Sequence, residues 1–132
     1  MYISIICVAL LGLLCVGLGF NVSLGRARTQ TMFEGDVNPE DPLYKARRAH
    51  GNTVEYAPIL AVMILALGLN PQPAWVTWCM VAAVFFRYLF ALGILIPRTM
   101  AEPHPMRFIG SLGTYLSGFG LVAALLLSAG NV

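Results

Sequence analysis

The chain has 132 residues, of which 58% are hydrophobic and 11% charged, and its mean hydropathy is +0.77. A water-soluble domain carries roughly a quarter charged residues, so that class is excluded. The length suits one unit rather than two; the net charge of +2 is uninformative until its distribution is examined, and no nucleic-acid partner is expected. The expected class is an all-α integral membrane protein, a four-helix bundle in a single domain over residues 1–132, with the lipid bilayer as its surroundings.

The first apolar block, Met1 to Leu24, carries no charge and is long enough to cross about 30 Å of hydrocarbon. A cleaved signal peptide is the alternative. No Lys or Arg precedes Arg26 to form its positive leading segment, so a retained helix over about 1–25 is favoured. The loop that follows, RARTQTMFEGDVNPEDPLYKARR, holds Glu34, Asp36, Glu40 and Asp41, four of the six acids. It either covers a site at the membrane face or is a solvated connector. A second helix is expected over about 42–69, with Asp41 as N-cap and Pro42 at the first helical position. Asn70-Pro71-Gln72-Pro73 is a tight connector, which makes the second and third helices antiparallel neighbours. The third is expected over about 73–97, where Pro97 closes it, and the fourth over about 105–129 before Gly130. Within the fourth, Gly110, Gly113, Ser117 and Gly120 suit close helix packing. Cys7, Cys15 and Cys79 all lie in apolar blocks and read as buried free thiols, with no metal-ligand spacing.

Four antiparallel spans place both termini on one side. Arg26, Arg28, Lys45, Arg47, Arg48, Arg98 and Arg107, seven of the eight basic residues, then gather on the other. By the positive-inside rule that side is cytoplasmic. For a bacterial inner membrane the termini are then periplasmic. Trp75 and Trp78 fall near the opposite interface, as an aromatic belt requires.

The segment RRAHGNTVEYAPIL, residues 47–60, puts charge at the mouth of the second span. Arg48, Asn52 and Glu55 share one helical face by their spacing. Glu55 lies about two turns into the span, where an ionised carboxylate costs a few kcal/mol. It must therefore face a neighbouring helix, a watery cavity or a polar ligand. Arg87, deep inside VAAVFFRYLFALGIL, cannot easily reach water by snorkelling. These groups either form an interhelical ion-pair network, with Arg48 or Arg87 neutralising Glu55, or receive a zwitterionic ligand. Guanidinium forks bind carboxylates, and a carboxylate binds ammonium.

At KARRAHGNTVEYAP the chain resembles the MAPEG proteins, membrane-associated proteins in eicosanoid and glutathione metabolism. They include microsomal glutathione transferases and microsomal leukotriene and prostaglandin synthases. The segment looks like the family's Arg-Ala-x-x-Asn-x-x-Glu-x-x-Pro signature, and HGNTVEYAP looks like the small bacterial branch. The resemblance implies a MAPEG-like homotrimer that binds glutathione as co-substrate between subunits at the cytoplasmic helix ends. By position it implies glutathione contacts from Arg48, His50, Asn52, Glu55, Tyr56, Arg87 and Arg28. It makes Arg107, at the start of the fourth helix, the catalytic residue that stabilises the glutathione thiolate. A guanidinium at a helix N-terminus lowers the thiol pKa, and the thiolate is the nucleophile. No metal is required.

Several family enzymes have a tyrosine seven residues after the third-helix arginine, where this chain has Ile94. The leading expectation is a glutathione-dependent transferase or peroxidase acting on lipophilic electrophiles. The alternatives are a non-catalytic lipid-binding protein of the same fold and a small accessory membrane subunit.

Overall fold

Each helix starts and stops where local chemistry supplies or withdraws a backbone partner. The computed structural model describes residues 2–33 and 37–130; Met1, Glu34 and Asp36 lie outside them. Helix α1 is Tyr2–Thr29, α2 Pro42–Leu67, α3 Ala74–Leu95 and α4 Pro105–Ala129. All four are long and apolar enough to cross a membrane, and no strand occurs among the described residues.

The first helix runs beyond residue 25, where the sequence pattern ends it. Arg26, Ala27 and Arg28 are good helix formers, and both arginines lie in the last turn, where cations complement the helix dipole. Helix α1 stops when Gln30 takes a positive φ of 52°. The Thr31 N–H then returns to the Arg26 carbonyl at 3.1 Å, closing the last turn as a Schellman cap does.

Asp41 starts α2 as expected: its Oδ2 accepts from the Tyr44 N–H at 2.7 Å, and Pro42 opens the helix. His104 caps α4, with Nδ1 accepting from the Met106 N–H at 3.3 Å. Lys45 is buried, and its Nζ donates to the carbonyls of Leu95 at 3.3 Å and Pro97 at 2.8 Å. The start of α2 thereby closes the end of α3, a favourable place for a cation.

Helix α1 packs closely on α2, and α3 on α4; α2 and α3 join the two pairs, while α1 and α4 do not meet among the described residues. The core is a seam of Leu11, Leu60, Ile64, Val76, Met80 and Leu121. The outer surface is equally apolar, with Val16, Phe85, Leu116, Phe119 and Leu126 all exposed. Lipid or another subunit suits such a surface, and water does not.

Glycine sets the α3–α4 separation. A Cβ at Gly110 would lie 2.7 Å from the Phe90 backbone nitrogen, and one at Gly93 would lie 2.8 Å from the Arg107 nitrogen. Backbones this close leave no room for a side chain, and small residues play this part between membrane helices. Gly12 has nothing within 4 Å of the same position. Gly110→Ala is therefore expected to destabilise the bundle by about 1–3 kcal/mol through overpacking. Gly12→Ala is expected to stay within about 0.5 kcal/mol of the parent. Unfolding midpoints in detergent micelles check both, and equal behaviour of the two variants contradicts the packing.

Candidate functional site

The face that α3 turns inward carries Met80, Ala83, Val84, Arg87, Ala91 and Ile94. Five of these are apolar, and the sixth is an arginine only 1% exposed. The Arg87 Nη2 donates to Asn52 Oδ1 at 2.5 Å and lies 3.5 Å from the Asn52 carbonyl. Its guanidinium carbon is 5.0 Å from the ring centroids of both Tyr56 and Phe90, within cation–π range. Its Nε is buried without a hydrogen-bond partner, as is Thr53 Oγ1. An orphaned buried donor costs about 1–3 kcal/mol. One amide and two ring faces offset only part of the cost of desolvating the charge.

Arg87 fixes which way Asn52 faces. A guanidinium has donors and no acceptor, so it takes the amide oxygen and leaves the Asn52 N–H groups to donate elsewhere. One turn further, the Tyr56 hydroxyl is 2.9 Å from the Tyr115 hydroxyl on α4. The two rings meet edge to face, with centroids 5.9 Å apart. A single polar cluster thus links α2, α3 and α4 within an apolar bundle.

The other expected site residues divide between faces. Arg48 and Glu55 are exposed on α2. Neither has a hydrogen bond or ion pair among the described residues. Among the described residues the ion-pair network that would satisfy Glu55 is not formed, and Arg87 turns to Asn52 instead. His50 packs against Gly19 of α1, its Nε2 3.1 Å from where a Cβ would stand. Arg28 lines a cavity with Asp41 and Lys45. Arg107 is half-buried at the start of α4. Its Nη1 donates to the Met100 carbonyl at 3.0 Å, and its Nη2 bonds the Glu102 carbonyl. The guanidinium is folded back over the α3–α4 loop.

Ile94 is buried with Leu14, Leu18, Ala49 and Ala91, so in this chain the position serves packing. Tyr88 donates to the Leu10 carbonyl at 2.8 Å, joining α3 to α1 on another face. Tyr115 and Phe90 are the cluster members that sequence reasoning did not assign. Helix periodicity places Tyr115 on a face, but nothing in that periodicity shows that the face meets Tyr56.

Comparison with known families matches the MAPEG family over residues 4–127. No curated protein and no solved structure matches the chain.

A buried charge held by so few partners does little for stability. Replacing such groups by apolar side chains of similar shape is often neutral or stabilising. Arg87→Met is therefore expected to unfold within about 1 kcal/mol of the parent, or later. A loss of more than about 2 kcal/mol in detergent unfolding would show that Arg87 is there to hold the fold.

Proposed function

The chain belongs to the MAPEG family, and from that premise we propose that it is a membrane-bound glutathione-dependent transferase or peroxidase acting on lipophilic electrophiles. The observation that carries this reading is Glu55. A carboxylate stands exposed on a membrane-spanning helix with no hydrogen bond or ion pair among the described residues. It lies one turn from Asn52, whose amide oxygen is taken by Arg87, and two turns from an exposed guanidinium, Arg48. Glutathione has complementary groups: an ammonium for Glu55, and carboxylates and carbonyls for Arg48 and the Asn52 N–H groups.

In this reading the subunits form a homotrimer, and the neighbouring copy covers the exposed face of α2 and completes each site. The basic end of the bundle is cytoplasmic, and both termini face the opposite side. Arg107, at a helix N-terminus, stabilises the glutathione thiolate. The thiolate sulfur then attacks an electrophilic carbon of a substrate arriving from the lipid and displaces its leaving group. With a hydroperoxide it attacks an oxygen, the O–O bond breaks to release the alcohol, and the resulting glutathione sulfenic acid is reduced by a second glutathione to the disulfide and water. An apolar cleft of about 380 Å³ between α3 and α4, lined by Trp78, Phe86, Ile109 and Leu116, suits the tail of such a substrate.

A second reading is a non-catalytic lipid-binding member of the family. The observation favouring it is Arg107, whose guanidinium already bonds two loop carbonyls. Those bonds hold the guanidinium over the loop, and only its remaining N–H donors are open to a thiolate.

Ultraviolet absorbance of the thiolate during glutathione titration separates the two. Loss of one charge-assisted contact predicts that Glu55→Gln binds glutathione roughly ten- to a hundredfold more weakly. Arg107→Ala is expected to bind glutathione but lose the thiolate signal. Binding with no thiolate signal in the parent chain supports the lipid-binding reading, and no binding at all removes the glutathione reading.

A further inference from the structure

Helices α2 and α4 meet through two phenols. The hydroxyls of Tyr56 and Tyr115 are 2.9 Å apart, and their rings stand edge to face with centroids 5.9 Å apart. Both residues lie more than two turns from either end of their helices, at the depth of acyl chains rather than headgroups. Around Tyr115 the outer face of α4 is apolar, with Leu112, Leu116 and Phe119 exposed beside it. Tyr56 is half-buried; it stands next to Glu55 and one turn beyond Asn52 on α2.

Two hydroxyls carry two protons, and the bond between them uses one. Neither hydroxyl has another hydrogen-bond partner among the described residues, so one O–H is left to donate. An unpaired donor is costly in apolar surroundings. Either oxygen can be the donor within the pair, so the free O–H can stand on either ring. The Arg87 charge, 5.0 Å from the Tyr56 ring centroid, draws electron density from that phenol and makes it the stronger donor of the two. Without a ligand, Tyr56 then donates to Tyr115. An anionic acceptor beside Tyr56 competes for the same proton and takes it, because charge-assisted bonds are the stronger. Tyr115 then turns its own O–H onto the Tyr56 oxygen, and the two bonds, running in one direction, polarise one another.

We propose that Tyr115 is a positioning residue of the glutathione site: it holds the Tyr56 hydroxyl and supports it as a donor to the bound ligand. The inference rests on the glutathione reading and adds to it a residue of α4 that acts through Tyr56. Tyr115→Phe isolates this role, because it keeps the ring and its edge-to-face contact and removes one oxygen.

The test is a double-mutant cycle on glutathione binding, measured by calorimetric titration of detergent-solubilised parent, Tyr115→Phe, Tyr56→Phe and the double variant. Tyr115→Phe is expected to bind glutathione about three- to tenfold more weakly than the parent. Tyr56→Phe is expected to lose at least as much. The double variant is expected to lose no more than Tyr56→Phe alone, because Tyr115 acts through the hydroxyl that Tyr56→Phe removes. Unfolding midpoints of both single variants are expected within about 5 °C of the parent. Equal affinity of the parent and Tyr115→Phe overturns the inference and leaves the glutathione reading standing, as does additive loss in the double variant. A larger fall in the Tyr115→Phe midpoint makes the pair a structural tie and also overturns the inference. A parent that does not bind glutathione overturns the glutathione reading and the inference with it.

Discussion

A guanidinium buried among apolar helices is the constraint on which the rest of this structure turns. Arg87 is 1% exposed, has no carboxylate bonded to it among the described residues and leaves its Nε unpaired. Such a residue is costly in a protein and more so at membrane depth. The bundle arranges itself to limit that cost. Asn52 gives its oxygen, and Tyr56 and Phe90 give their ring faces. The consequence for function is indirect. Arg87 does not reach the surface, but it determines what Asn52 and Tyr56 present there.

Around this cluster the architecture is rigid for identifiable reasons. Glycines at 93 and 110 bring the α3 and α4 backbones together where a side chain would collide, which holds Tyr115 within reach of Tyr56. Lys45 ties the start of α2 to the end of α3, so the exposed stripe of Arg48 and Glu55 begins from a fixed point. What is left unsatisfied lies on the outside: a carboxylate and a guanidinium, Glu55 and Arg48, that have no partner among the described residues. A site built on a rigid frame but completed by a neighbour or ligand explains this division. The buried groups are set by the fold, and the exposed ones stand on the outer face of α2.

Much of the fold was legible from local chemistry. Apolar blocks bounded by proline and glycine located four spans, and Asp41 before Pro42 located the start of α2. The end of α1 was not legible, because the arginines that end the apolar block are also good helix formers. Within the candidate site, spacing placed Arg48, Asn52 and Glu55 on one helix face. Spacing within a helix does not reveal which residue stands across from it, because interhelical register depends on packing. Spacing therefore left open whether Arg48, Arg87 or a zwitterionic ligand meets Glu55. The structure instead pairs Arg87 with the amide one turn earlier and leaves Glu55 outside. Tyr115 was hidden for the same reason: its partner lies 59 residues away in the chain.

In the proposed function Arg87 is a positioning residue, present for what it makes Asn52 and Tyr56 do rather than for stability. Calorimetric titration of glutathione into detergent-solubilised parent and Arg87→Met protein tests this most directly. The account predicts that the parent binds and that the folded variant binds roughly tenfold more weakly, as expected when an oriented hydrogen-bonding group is set free. Equal affinity in the two proteins would contradict it.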